Sequence, residues 1–143
     1  MTNEYQKVQC EQVDTGYEFP PASYDLDVEA ISKYLKAVDE SSSLYWQSDN
    51  RRALTGLIPP MAVTTYAMTM LLQRLSLPAG SIHVTQEIEF LTTVEVGTAI
   101  TCQAKVSQNW KRGKFHLLTI NLSVFNQNKE LVQSGKVGFI LPS

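Results

Sequence analysis

Apolar positions near the start of the chain recur with the period of an amphipathic helix. The stripe consists of Val28, Ile31, Leu35 and Val38. Asp25 or Asp27 is placed to cap the first turn, because a short acidic side chain accepts hydrogen bonds from free backbone N–H groups there. The pattern predicts a helix of about three turns that ends near Asp39, followed by a polar loop over residues 40–56.

A second helix is predicted after a pair of prolines. Pro60 suits its first position, where a missing N–H costs nothing, and Pro78 with Gly80 closes it. Its apolar side chains surround the helical wheel: Met61, Val63, Tyr66, Met68, Met70, Leu71 and Leu72. A helix that is apolar on all sides is normally enclosed by protein. We therefore expect a buried helix over residues 61–75.

Residues 53–73 carry no charge and approach the length of a membrane span. Pro59 and Pro60 interrupt the stretch, and the apolar part after them is short. A helix in a protein core fits this pattern better than a transmembrane segment.

After Gly80 the apolar period changes to two, which is typical of strands. Four antiparallel strands joined by short turns are predicted. Ile82, Val84, Ile88 and Phe90 share one face of the first strand, and Ile100, Cys102, Ala104 and Val106 alternate with polar residues in the second. Leu118, Ile120, Leu122 and Val124 form an inward row in the third, and the last strand is Leu131–Leu141. Gly135 and Gly138 indicate a bulge or tight curvature in the last strand. Residues 17–24 suggest a short extended segment. The order predicts an α+β domain over residues 17–143, with a loosely ordered segment over residues 1–16.

Composition narrows the functional classes. The chain has 143 residues, 43% of them hydrophobic, and a net charge of −2, which fits one soluble domain and argues against nucleic-acid binding. Two basic spots, Arg51 with Arg52 and residues 111–114, fit solvated turns better than a phosphate site. Neither the two cysteines nor the two histidines stand at metal-ligand spacing, so no metal is expected. A polar start without a secretory leader predicts a cytoplasmic location.

Residues 34–45, Y-L-K-A-V-D-E-S-S-S-L-Y, resemble the Y-A-x-x-[ST]-G-D-x-N-P-L-H motif of MaoC-like (R)-specific enoyl hydratases. Residues 55–61, T-G-L-I-P-P-M, resemble the family's G-x-I-A-P-G-M turn. Further likeness lies in I-E-F at 88–90, V-E-V-G at 94–97 and K-R-G at 111–113. The resemblance covers residues 17–141. It implies a hotdog fold, in which a curved antiparallel sheet wraps around a long central helix.

The resemblance also implies a chemistry. In the family an Asp and a His hold the water that adds to a 2-enoyl thioester of coenzyme A or acyl carrier protein, and no further cofactor is needed. Glu40 matches the Asp position and Tyr45 the His position. Candidate substrate-binding residues are Met61 and Ala62, whose N–H groups lie at the helix start, together with Trp46 and Tyr66.

Several matched positions depart from the catalytic pattern. The Glu40 side chain is one methylene longer than Asp, and a free phenol such as that of Tyr45 titrates at a pKa of about 10 rather than near neutrality. Ser43 replaces a proline, and Pro60 replaces a glycine whose N–H would bind the substrate carbonyl. A tyrosine and a proline pair at these places resemble the non-catalytic subunits and half-domains of the family.

Three hypotheses stay open at this stage. The chain is a degenerate subunit paired with a catalytic hotdog partner, a standalone hydratase that uses Glu40 and Tyr45, or a non-enzymatic homodimer that binds an acyl thioester or another hydrophobic ligand. Each includes association into a homodimer or heterodimer, because an exposed sheet edge invites pairing.

Overall fold

The computed structural model describes residues 6–50 and 53–142. The basic pair Arg51 and Arg52 lies outside the described residues. The helices are α1 (Val28–Ala37) and α2 (Pro60–Arg74), with a 3-10 turn at Cys10–Gln12. The strands are β1 (Val8–Gln9), β2 (Ala22–Leu26), β3 (Leu75–Ser76), β4 (Ile82–Phe90), β5 (Thr98–Arg112), β6 (Phe115–Asn126) and β7 (Leu131–Leu141).

The first helix confirms the predicted cap and length. The Asp27 carboxylate accepts a hydrogen bond from the Ala30 N–H at 2.8 Å, which satisfies a donor that the first turn leaves free. Ile31 and Leu35 are fully buried, whereas Val28 at the start of the apolar stripe and Val38 at its end are exposed. The helix therefore packs through its middle turns.

Five strands form one antiparallel sheet in the order β2-β5-β6-β7-β4. The four predicted strands are confirmed. The segment predicted as extended over residues 17–24 supplies the fifth, because Ala22–Leu26 pairs with the first part of β5. One face of the sheet contributes most of the core, including Ile100, Cys102, Ala104, Val106, Leu118, Ile120, Val124, Val137 and Phe139.

Helix α2 lies against this inward face but is not enclosed on all sides. Its buried side chains, which join the core of the sheet, are Ala62, Val63, Thr64, Ala67, Met70, Leu71 and Arg74. Met61 and Leu72 remain 47% and 43% exposed. The prediction of a wholly buried helix is therefore wrong for the single chain, because the sheet covers only one side of α2. No helix among residues 6–50 and 53–142 is long and apolar enough to cross a membrane.

The described part of the amino-terminal segment is tied to the domain, which differs from the expected loose order. Val8–Gln9 pairs in parallel with Leu75–Ser76, directly after α2. Cys10 and Val13 are buried in the core. The side-chain amide of Asn109 donates to both of their carbonyl oxygens, at 3.1 and 2.6 Å. These hydrogen bonds give partners to two backbone carbonyl groups in a segment that packs on the core.

Strand β4 forms one edge of the sheet and, within the described residues, pairs only with β7. Several of its apolar side chains face solvent: Ile82, Val84 and Phe90. Gly135 and Gly138 allow β4 and β7 to approach, since a Cβ at Gly135 would overlap the Glu87 carbonyl oxygen and one at Gly138 would overlap the Thr85 hydroxyl. The bulge lies opposite Gly138, between His83 and Thr85 of β4.

We expect Gly135→Ala to lower the free energy of unfolding by about 2 kcal/mol, because the added methyl group pushes β4 away from β7. Urea unfolding followed by circular dichroism measures this change. Ser134→Ala, one residue earlier in the same strand, adds no Cβ and should change the free energy by less than about 0.5 kcal/mol. Equal stability of Gly135→Ala and Ser134→Ala would contradict the proposed close approach.

Candidate functional site

A cleft of about 360 Å³ opens beside the first turn of α2. It lies between the loop that precedes the helix, the segment that follows β4, and one residue of β7. The lining residues are Tyr45, Leu57, Ile58, Pro60, Val63, Phe90, Leu91, Thr92, Thr93, Val94 and Gln133. Its size is within the range of small-molecule sites, and most of its wall is apolar.

Backbone hydrogen bonds hold the walls of this cleft together. The Ile58 N–H donates to the Val94 carbonyl at 3.2 Å, and the Val96 N–H donates to the Gly56 carbonyl at 2.8 Å. Gly56 has a φ of +105°, a conformation that a residue with a side chain rarely adopts. The turn at Gly56 therefore lets the loop run beside the segment after β4 and then enter α2.

The two predicted catalytic residues lie on the loop after α1, and of the two only Tyr45 lines the cleft. Glu40 Oε1 accepts a hydrogen bond from the Ser42 N–H at 3.0 Å, so its carboxylate is engaged by its own loop. Burial raises the pKa of Tyr34, and the nearby Tyr45 and Glu40 raise it further.

The four predicted substrate-binding residues are not among those that line the cleft. Trp46 is 7% exposed, and its indole N–H donates to the Glu40 carbonyl oxygen at 2.8 Å. Ala62 is fully buried and its N–H donates to the Pro59 carbonyl at 3.0 Å, while Met61 is exposed. The Tyr66 ring packs against Tyr24, with the ring centroids 4.9 Å apart and the planes tilted by 45°. Substrate contact by these four residues stays a prediction.

Sequence reasoning missed Gln133, the most buried polar side chain of the cleft. It is 5% exposed. Its Nε2 donates to the Pro60 carbonyl at 2.7 Å, and its Oε1 accepts from the Thr64 hydroxyl at 2.8 Å. A glutamine in register with the inward residues Val137 and Phe139 of β7 was the available signal, because polar side chains at such positions need partners.

The described lining of the cleft contains no carboxylate, imidazole or thiol. His83 and His116 lie elsewhere, against the Thr85 carbonyl and the Asn109 side chain. Burial raises the pKa of the Cys102 thiol to about 12, so this core residue is no nucleophile near neutral pH. Among the residues that the structure describes, no group of three or more His, Cys, Asp or Glu could hold a metal ion.

A family model described as the FAS1-like dehydratase domain region matches residues 13–134 of the chain. The chain belongs to this dehydratase family. The match spans both helices, the cleft and most of the sheet. A search of curated protein sequences finds no match to this family member.

Solved structures share the fold of this FAS1-like dehydratase domain at low identity. The (R)-hydratase from A. caviae is 18% identical with a TM-score of 0.74, covering 92% of this chain and 99% of its own. The MaoC-like dehydratase from Rhodospirillum rubrum is 17% identical with a TM-score of 0.68, covering 92% and 94%. The HadBC complex from Mycobacterium tuberculosis, a 3R-hydroxyacyl-ACP dehydratase, is 17% identical with a TM-score of 0.69, covering 88% and 96%.

These comparisons confirm the predicted hotdog fold and the resemblance to MaoC-like dehydratases. The five-stranded antiparallel sheet with α2 on its inward face is the hotdog arrangement in this chain. Residues 34–45 and 55–61 carried the resemblance in the sequence, and they form the loop and helix start that frame the cleft.

We expect Trp46→Phe to lower the free energy of unfolding by about 1–3 kcal/mol, because it removes the indole donor from the Glu40 carbonyl and leaves space in the core. Thermal unfolding by circular dichroism measures the loss. Trp110→Phe replaces an exposed tryptophan and serves as the matched control. Similar melting temperatures for both variants would show that the indole does not anchor the loop.

Proposed function

We propose that this chain is a hotdog subunit that binds the acyl part of an enoyl or 3-hydroxyacyl thioester, while a hotdog partner supplies the catalytic acid and base. The thioester is carried by coenzyme A or acyl carrier protein. One observation carries the proposal: the described wall of an otherwise suitable apolar cleft holds no carboxylate or imidazole. Hydration and dehydration need such groups to move protons.

The wall of the cleft supports an acyl ligand. Leu57, Ile58, Val63, Leu91 and Val94 offer apolar surface on several sides. The polar side chains of the wall are those of Tyr45, Thr92, Thr93 and Gln133, and Gln133 contacts the first turn of α2. This combination of an apolar wall and a small number of directed polar groups is typical of sites for small ligands with one polar head.

The position of Glu40 counts against the standalone hydratase. Its carboxylate already accepts the Ser42 N–H and belongs to the loop rather than to the cleft wall. Tyr45 offers a hydroxyl that can donate a hydrogen bond, but it is not the imidazole that stands at this place in the family's motif. Both observations favour a subunit that relies on a partner for its acid and base.

The edge strand β4 supports a partner of the same fold. Val84 and Phe90 are 42% and 49% exposed on a strand whose outer edge is unpaired within the described residues. Phe90 also lines the cleft, so a strand added at this edge would sit beside the ligand. The HadBC structure, which shares the fold, is a complex.

A non-enzymatic homodimer is the second candidate, because the same edge of β4 is open to a second copy of the chain. The two candidates differ in turnover rather than in ligand. The two candidate functions can be distinguished by mixing the chain with a hotdog protein that retains the D-x-N-P-x-H motif.

We expect the purified chain to bind crotonyl-coenzyme A in calorimetry and to leave it unhydrated, because its cleft lacks an acid and a base. Hydration, followed by loss of the enoyl absorbance, should appear when the catalytic partner is added. Absence of turnover with every partner would favour the binding homodimer. Hydration by the chain alone that is lost in Glu40→Gln but kept in Glu18→Gln, an exposed acid elsewhere, would refute the subunit proposal.

We expect Val84→Glu to prevent association along β4, because a buried unpaired carboxylate at the new strand pairing is costly. Sedimentation velocity at micromolar concentration should show a dimer for the unmodified chain, or a heterodimer with its partner, and a monomer for the variant. Val28→Glu places the same charge on an exposed valine of α1 and should leave association unchanged. A monomeric unmodified chain that also fails to bind any hotdog partner would contradict this prediction.

A further inference from the structure

We propose that Gln133 determines ligand specificity by donating a hydrogen bond from its side-chain amide to the carbonyl oxygen of the bound acyl group. This inference rests on the proposed function and names the residue that recognises the thioester within the cleft. It follows from three observations: the fixed orientation of the Gln133 amide, the donor that this orientation leaves over, and the small number of other donors near the first turn of α2. Besides Gln133, the polar side chains of the cleft wall are the hydroxyls of Tyr45, Thr92 and Thr93.

The orientation of the Gln133 amide is fixed by its two partners. The Pro60 carbonyl oxygen can only accept, so the side-chain atom that lies 2.7 Å from it must be the nitrogen. The Thr64 hydroxyl then donates to Oε1 at 2.8 Å. A flipped amide would place two acceptors face to face at Pro60, which makes that orientation unfavourable.

This arrangement leaves one N–H of Gln133 uncommitted. The amide nitrogen carries two hydrogens, and the hydrogen bond to Pro60 uses one of them. Within the described residues Nε2 has no second acceptor. The side chain is 5% exposed and lines the cleft together with Tyr45. A buried donor without a partner is costly, and a ligand oxygen in the cleft would satisfy it.

The backbone at the start of α2 offers few alternative donors. A helix usually begins with free N–H groups that bind an electron-rich ligand. Here Pro59 and Pro60 have none, and the Ala62 N–H already donates to the Pro59 carbonyl at 3.0 Å. Met61 is the one residue among these four that keeps a backbone donor for a ligand. The side-chain amide of Gln133 therefore adds a donor where the first backbone N–H groups of this helix are reduced in number.

The chemistry of this donor selects an uncharged acceptor. The described lining of the cleft contains no lysine, arginine or histidine to balance a negative charge. A neutral amide in an apolar wall stabilises a carbonyl oxygen but does not repay the dehydration of a carboxylate. An acyl thioester is therefore favoured over the corresponding free acid.

The test compares butyryl-coenzyme A with S-butyl-coenzyme A, a thioether that keeps the chain and the carrier but lacks the carbonyl oxygen. Calorimetry on the full chain should show about tenfold tighter binding of the thioester. Gln133→Met, which has a similar shape and no donor, should bind both ligands with the affinity that the unmodified chain has for the thioether. Gln103→Met makes the same exchange at an exposed residue outside the cleft and should retain the tenfold preference.

Thr64→Val provides a second variant that leaves Gln133 in place. It removes the hydroxyl that orients Oε1, so the preference for the thioester should shrink without disappearing. An undiminished preference in folded Gln133→Met would overturn the role of Gln133 and leave acyl-thioester binding intact. If Gln133→Met fails to fold, an undiminished preference in Thr64→Val overturns it instead. Failure of the unmodified chain to bind either ligand would overturn the proposed function as well.

Discussion

The packing of α2 on the inward face of the sheet is the constraint on which the other features depend. Apolar side chains must leave water, and here they do so between Met70 and Leu71 of the helix and the alternating rows of β5, β6 and β7. The sheet continues beyond the helix at β4, so part of its apolar surface remains uncovered. The start of the helix meets the loop and the segment after β4, and the cleft lies where these three meet. Both the ligand site and the open edge therefore follow from one packing arrangement.

The elements with a strong period were predictable from the sequence. The alternation of Ile100, Cys102, Ala104 and Val106 against polar neighbours is sufficient to define a strand and its buried face. Asp25 or Asp27 and Pro60 marked the starts of the two helices, because each suits a position with free backbone groups, and the structure selects Asp27 as the cap. The MaoC-like resemblance of residues 34–45 then supplied the fold, which periodicity alone gave only as α+β. It also placed Tyr45 at the cleft.

Other features depended on contacts between distant residues and could not be predicted locally. Val8–Gln9 is too short to show a period, and it is a strand only because Leu75–Ser76 lies beside it. Gln133 looked like an ordinary polar residue until the sheet register placed it at the first turn of α2. The exposure of Met61 and Leu72 was missed for a related reason, since the composition of a helix does not show how far its neighbours extend.

The two consecutive prolines before α2 have a consequence for the thermodynamics of recognition. Their rings fix φ at both positions, so the segment entering the helix has little conformational entropy to lose when a ligand binds. A rigid entrance to the cleft therefore loses less conformational entropy on ligand binding than a flexible loop would lose. Differences in affinity among ligands would then reflect their direct contacts with the cleft wall rather than rearrangement of the protein.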